Sequence, residues 1–406
     1  MNGMTRYIAT FLLALALLFS CSNDDGDGKR RQQPARETII VFMPWIGANQ
    51  SAGGLLSFFQ NNVSDMKKSM KENNLQDIRL LVCICEDAGS ARLLEITADG
   101  SEKTVRKYTA PDFYTASGIA SMLKDAANSA PASRYSMIVS GHGLGWVSKS
   151  VYNSGTSFAP ARVLGKYRRD LPLTRFFGHA FDESRQIDIA TLAGGIGGAG
   201  LKMHFVLFDG CNMANVETAF MLRSSTDYLI ACPTEIMGYG MPYREMLPSL
   251  AAGDYKAACE KMIAFYKAYS IVSGSTATPY PYATISVTKT SELDQLASLM
   301  KSVNASASTA ADISGVQTLD GFSPTIFYDL GSYVSALCSD AELLRRFNAQ
   351  LQLAVPYKGA TDCYYTSYGN NHVIPIRAYS GITVSDPSTN SLACDRQSTD
   401  WWAATH

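Results

Sequence analysis

Two short stretches hold residues that can break an acyl bond. Gly141-His142-Gly143 follows one apolar run and Asp209-Gly210-Cys211 follows another. A thiol is a poor nucleophile until it is deprotonated, because its unperturbed pKa lies near ~8.5, and a histidine across a cleft can take that proton or stabilise the thiolate. Cys211 is therefore the candidate nucleophile and His142 the candidate general acid/base. Glycine permits close approach of a carbonyl oxygen, so the N–H groups of Gly143 and Cys211 are candidate oxyanion donors. A helix starting at Met213 would add partial positive charge near the sulfur. The chemistry this predicts is acyl transfer: the thiolate attacks a carbonyl, and water or an amine resolves the acyl-enzyme.

Such residues act together only if the fold delivers them to one place. From Glu37 onward, short β-branched or aromatic runs alternate with segments of helical period, the pattern of a parallel sheet covered by helices. Runs at 38–43, 78–84, 135–140, 203–208 and 228–231 read as strands, with 93–97 as a hairpin partner of the second. Leu55, Phe59, Val63, Met66 and Met70 recur at helical spacing and predict a helix with one buried stripe. Residues 119–127 and a weak, glycine-rich stretch near Ile189 predict two more helices. In an open parallel sheet the ligand crevice lies beyond the carboxyl ends of the strands, which is where His142 and Cys211 fall. Residues 144–187, with Trp146, Pro160, Pro172 and a cluster of Arg and Lys, interrupt the rhythm and read as a long insertion. The core sheet is expected to end near Tyr243, followed over 246–406 by a mixed α+β subdomain.

"IVSGHGLGW", "VLFDGCNMANVE" and "YLIACPTEIMGYGMPY" together resemble the clostripain-family cysteine peptidases over residues 37–245. "YDLGSYV" at 328–334 and "SGITVSDP" at 380–387 resemble that family's carboxyl-terminal half. The resemblance implies an α/β fold of caspase-like αβα type with a mostly parallel central sheet. It also implies an endopeptidase with a His142–Cys211 dyad and Gly143 in the oxyanion hole. Asp209 matches the family's acidic residue at the floor of the primary specificity pocket, where a carboxylate pairs with Arg or Lys before the scissile bond. Gly210 departs from the family pattern, which has alanine there, and is expected to loosen the fit. Activation by cleavage between the histidine and the cysteine is a further implication, and Lys149, Arg162, Lys166, Arg168 and Arg169 suit such a specificity. Some family members bind calcium. The sequence holds no Asp-rich calcium loop, the chemistry requires no cofactor, and calcium stays open. One alternative is a catalytically silent surface lipoprotein that keeps the fold and binds protein or peptide; a missing dyad residue would favour it, and none is missing. A thiol-dependent transferase or transpeptidase is the alternative enzyme.

Residues 1–20 carry one charge, Arg6, ahead of an apolar stretch too short to span a bilayer, the pattern of an export signal. Leu17-Leu18-Phe19-Ser20-Cys21 resembles a bacterial lipobox, which implies acylation of Cys21 and an outer-membrane lipoprotein, and the acidic stretch Asp24, Asp25 and Asp27 resembles a lipoprotein surface-export tether, which implies exposure at the cell surface. The almost wholly polar residues 21–36 are expected to be a flexible tether. Lys plus Arg total 35 against 36 Asp plus Glu, a net of −1 with no basic block, which excludes a nucleic-acid partner. The expected partners are protein or peptide substrates and, through Cys21, a membrane; a monomer is expected.

The eight cysteines beyond Cys21 lack the paired spacing of a disulfide scaffold. Cys83 and Cys85 read as buried thiols on one strand face, and Cys232, followed by Pro233, as structural. His204 reads as a core or face residue, while His179 and His372 have no evident partner in the sequence. Gly195, Gly197 and Gly200 spell G-x-G-x-x-G, yet a strand follows where the dinucleotide fingerprint needs a helix, so the motif is a decoy.

Overall fold

The computed structural model describes residues 34–44, 55–87, 89–148, 186–307, 312–369 and 371–406. Its first half runs β1 (Ala35–Met43), α1 (Leu56–Glu72), β2 (Ile78–Asp87), β3 (Ser90–Ile96), β4 (Glu102–Thr109), α2 (Ala116–Ser129), β5 (Ala132–Ser140), α3 (Ile189–Gly198), β6 (Met203–Asp209), α4 (Val216–Met221) and β7 (Thr226–Ala231). The second half runs α5 (Tyr243–Ala252), α6 (Tyr255–Lys267), β8 (Ser270–Ser273), β9 (Thr276–Pro279), β10 (Thr284–Lys289), α7 (Leu293–Ser306), β11 (Tyr328–Asp329), α8 (Leu330–Leu337), α9 (Ala341–Ala354), β12 (Tyr357–Ala360), β13 (Cys363–Tyr365), β14 (Val373–Pro375), β15 (Thr383–Val384) and α10 (Asp400–Thr405).

β1 is a nearly continuous apolar run because both of its faces are covered. Ile39, Val41 and Met43 enter one core, and Ile40 and Phe42 enter the other. β6 divides in the same way, with Phe205 and Leu207 on the first side and Val206 and Phe208 on the second. The first core is closed by α1, α5 and α6; the second by α2, α3, α4, α7, α8 and α9. The result is an αβα sandwich. Full burial of each such side chain contributes about 1.5–3 kcal/mol, enough to hold the strand register, and with it the strand ends, against local slippage.

The strand order is β12-β10-β7-β6-β5-β1-β2-β3-β4. β2, β1, β5, β6 and β7 run parallel. Antiparallel strands flank them, β3 and β4 at one edge and β10 and β12 at the other. The sheet therefore does not end near Tyr243. Two strands of the carboxyl-terminal half extend it, and Pro34–His406 forms one compact unit. β4 also escapes the sequence reading, because Glu102, Lys103, Arg106 and Lys107 give it the look of a loop. It is an outermost strand, where charged side chains deter pairing with other chains.

The glycine motif precedes a strand, as its sequence context requires, and at least one of its members serves packing. A Cβ on Gly195 of α3 would lie 2.5 Å from Cγ2 of Ile119 on α2. Cys83 and Cys85 lie in the same core layer, and the eight described cysteines are all free thiols. The export signal, Cys21, most of the tether, His179 and residues 149–185 of the insertion, with its five candidate cleavage positions, lie outside the described residues. Among the described residues no helix is long and apolar enough to cross a membrane.

Candidate active site

β5 and β6 are parallel neighbours whose last residues, Ser140 and Asp209, stand opposite each other. Gly141-His142-Gly143 leaves one strand end and Gly210-Cys211 leaves the other. The Gly141 N–H donates to the Asp209 carbonyl at 3.2 Å and ties the two exits together. Beyond that bond the loops touch at glycines. A Cβ on Gly143 would lie 2.3 Å from the Cys211 carbonyl oxygen and 2.7 Å from the Met213 sulfur. Gly145 has a φ of +59°, and a Cβ there would lie 2.3 Å from Asn215 Nδ2. A Cβ on Gly210 would stand 3.0 Å from the Gly141 carbonyl oxygen. An alanine at 210 would require the Gly141 carbonyl to give by a few tenths of an ångström. His142 and Cys211, both buried, come to the same corner of the molecule.

The helix after the cysteine starts later than the sequence suggests. Asn212 takes the left-handed conformation (φ +54°), and the next backbone donors are spent sideways. Asn212 N–H donates to the Thr234 carbonyl at 3.0 Å; Met213 and Ala214 N–H both donate to Cys232, at 2.9 and 3.1 Å. α4 begins only at Val216, capped by the Asn215 side chain, which accepts from Thr218 N–H at 3.0 Å. Because a helix-terminus effect fades within about one turn, a helix starting at Met213 cannot be the source of charge beside the sulfur. The groups found there belong to Ile236: its backbone N–H donates to Cys211 Sγ at 3.4 Å, and its carbonyl accepts from the sulfur at 3.9 Å.

Asp209 is fully buried on the same side of β6 as Cys211. Its Oδ1 accepts from Met241 N–H at 3.1 Å, and its Oδ2 accepts from the Tyr243 hydroxyl at 2.9 Å and the Ser140 hydroxyl at 3.4 Å. The carboxylate is thus oriented by the loop between β7 and α5. That loop is held in turn by the Tyr266 hydroxyl, which donates to the Gly240 carbonyl at 2.6 Å.

The carboxyl-terminal half braces both loops, a role that no local sequence signal announced. Thr383 N–H donates to the Ala214 carbonyl at 2.9 Å. Ser385 joins the two sides: its hydroxyl accepts from the Trp146 indole N–H at 2.9 Å, and its own N–H donates to Glu217 Oε1 at 3.1 Å. Arg396 Nε reaches the same Glu217 oxygen at 2.8 Å, and both side chains of this ion pair are buried. Burial pushes the Glu217 carboxyl above its usual range, and the guanidinium draws it back.

The remaining sequence candidates lie in structural surroundings. Burial, reinforced by the Asp209 charge, pushes the Cys232 thiol well up, which suits a structural thiol. His204 packs against Tyr228 and Tyr255 and stands 3.6 Å from Asp227. His372 stacks on Tyr365, with its Nδ1 2.9 Å from the Thr366 carbonyl. Among the described residues no three His, Cys, Asp or Glu side chains group as metal ligands, so they do not form a carboxylate cage for calcium. A cavity of about 1240 Å³ between α6, α9 and the edge strand β12 is lined by none of the dyad residues and belongs to the sheet edge.

Known proteins resemble this chain over most of its length. The family model described as the clostripain family matches residues 166–371. A secreted C11 cysteine protease from Bacteroides thetaiotaomicron, "iotapain", is 39% identical with a TM-score of 0.80, and the match covers 92% of this chain and 100% of that one. A clostripain from the same organism, solved in complex with the peptide inhibitor BTN-VLTK-AOMK, is 44% identical with a TM-score of 0.53, covering 57% of this chain and 99% of its own. An inactive zymogen C11 protease from Parabacteroides distasonis shares the fold at 21% identity and a TM-score of 0.73, covering 92% and 99%. No curated protein sequence matches the chain.

Proposed function

The chain belongs to the clostripain family of cysteine peptidases, and from that premise we propose that it is an exported endopeptidase cutting polypeptides after Arg or Lys through Cys211 and His142. The observation that carries this reading is the pairing of Ser140 with Asp209, with Gly143 seated on the Cys211 carbonyl just beyond it. As the Cys211 sulfur attacks the scissile carbonyl carbon, its proton passes to His142, a C–S bond forms, and the carbonyl π pair moves onto oxygen. The N–H groups of Gly143 and Cys211 receive that oxyanion. His142 returns the proton to the departing amine as the C–N bond breaks. Water, deprotonated by His142, then resolves the thioester.

Asp209 supplies the negative charge that selects a basic side chain. Its fixed orientation supports this, as does the 44% identical relative solved in complex with the peptide inhibitor BTN-VLTK-AOMK, whose peptide part is written VLTK. The same specificity makes Lys149, Arg162, Lys166, Arg168 and Arg169 the bonds for self-processing. The lipobox-like run ending in Cys21 supports envelope anchoring, and a relative described as secreted supports export. Radiolabelled palmitate incorporated by the wild type and lost in Cys21→Ala tests the anchor. The test of function is turnover of fluorogenic peptides ending in Arg, Lys, Asp or Leu by the chain from Ser22, beside Cys211→Ala, His142→Ala and Asp209→Ala, with calcium and reductant varied. Cleavage after Arg or Lys that disappears in the first two variants is the expected result. Turnover that survives Cys211→Ala would sink the proposal.

A further inference from the structure

The residue that donates to the Cys211 sulfur is itself held from the far end of the chain. Glu235, next to Ile236, is 4% exposed. Its Oε1 accepts from the Thr366 hydroxyl and from Ser367 N–H at 3.0 Å. Its Oε2 accepts from the Ser367 hydroxyl at 2.7 Å and from the same N–H at 3.1 Å. Thr366 is fully buried and packs on Gly321, where a Cβ would lie 2.2 Å from the Thr366 hydroxyl oxygen. A buried carboxylate is costly unless hydrogen-bonded throughout; these contacts hold both of its oxygens. The peptide unit joining Glu235 to Ile236 is planar and stiff, so fixing Glu235 restricts the direction of the N–H aimed at the sulfur.

We infer that Glu235 is a positioning residue of the peptidase: gripped by Thr366 and Ser367, it keeps the Ile236 N–H on Cys211 Sγ and so presets the nucleophile for ionisation. The inference rests on the reading of Cys211 as nucleophile. The N–H at 3.4 Å favours thiolate and the Ile236 carbonyl at 3.9 Å favours thiol; the nearer group is the donor, and one already oriented needs no rearrangement during reaction. The other titratable groups around this corner are His142 and Asp209 from the strand ends, Cys232 after β7, Tyr364 on β13, His372, whose Nδ1 stands 2.9 Å from the Thr366 carbonyl, and Asp320. Burial raises Asp320 to about 7 against the pull of its backbone hydrogen bonds, with Glu235 adding to the rise. Substitution at Thr366 alters none of these charges.

The test uses Thr366→Val, which removes the hydroxyl at nearly constant volume, Thr366→Ser, which keeps it, and Glu235→Gln. Alkylation of Cys211 by iodoacetamide, located by peptide mapping, is followed against pH beside kcat and KM for an Arg or Lys peptide. Thr366→Val, which changes no charge, should raise the pH midpoint of alkylation by about one unit, and Glu235→Gln, which also deletes a negative charge near the sulfur, should raise it less. They should lower kcat about tenfold with KM within about twofold, while Thr366→Ser follows the wild type. Ser367→Ala, which removes a different hydroxyl of the same clamp, should shift the midpoint in the same direction and serves if Thr366→Val fails to fold. An unchanged midpoint in folded Thr366→Val or Ser367→Ala, or the same shift in Thr366→Ser as in Thr366→Val, overturns the inference. Turnover retained by Cys211→Ala would instead overturn the reading beneath it, so the two failures are distinguishable.

Discussion

Replacing Gly143 with alanine asks whether the loops that carry His142 and Cys211 must touch. The new Cβ would sit 2.3 Å from the Cys211 carbonyl oxygen and 2.7 Å from the Met213 sulfur, where ordinary contact starts at 3.4 Å. Met213 is a flexible side chain and can swing aside. The Cys211 carbonyl cannot, because the next three N–H groups are committed to Thr234 and Cys232. The histidine loop must therefore retreat by about 1 Å, and a misplacement of that size costs on the order of a hundredfold in rate. The loss is equivalent to about 2.7 kcal/mol of transition-state stabilisation. Steady-state kinetics on an Arg or Lys peptide should show kcat/KM down by about that factor. Thermal melting followed by circular dichroism should show the cooperative transition intact, since the β1 and β6 core residues are untouched. A Gly143→Ala enzyme within about threefold of wild type would show that the apposition of the loops does not matter to the reaction.

Three further outcomes follow from the geometry. Asp209→Asn keeps the shape and removes the charge, so the kcat/KM preference for Arg or Lys over Leu should fall by about tenfold to a hundredfold, the worth of a charged hydrogen bond; an unchanged ratio assigns selectivity to other residues. Arg396→Met strands the buried Glu217 and should cost about 3–5 kcal/mol in urea unfolding at neutral pH. Burial already raises the folded-state pKa of Glu217 above its unfolded value, and losing the guanidinium raises it further. The folded state then binds the extra proton, so the deficit grows as pH rises through the folded pKa and shrinks in acid; a deficit independent of pH argues against this account. Gly195→Ala forces a Cβ to 2.5 Å from Ile119 Cγ2 and should destabilise by about 1–3 kcal/mol. It should leave kcat/KM within about twofold, and a nicotinamide dinucleotide should not shift the melting temperature of the wild type.

Much of the site was legible because it is local. A buried parallel strand is a continuous apolar run, and Tyr135 to Ser140 and Met203 to Phe208 announce themselves as such. Glycine and histidine at the end of one, and aspartate, glycine and cysteine at the end of the other, mark the candidate site in the sequence. The start of α4 was misread because Met213 and Ala214 have residue types that a helix accepts. Only their hydrogen bonds to Cys232, two strands' connection away in the chain, reveal that they are not in one.

The sequence by itself determined the central strands, the two loops at their ends and the residue types that can perform acyl transfer. The tertiary structure alone decided how those groups are held. Trp146 and Ser385 are separated by 239 positions and Glu235 and Thr366 by 131, and a hydrogen bond across such distances leaves no periodicity to read. The donor at the Cys211 sulfur is a backbone N–H, which every residue except proline carries. Its identity as Ile236 is therefore a consequence of where the chain passes rather than of which side chain stands there.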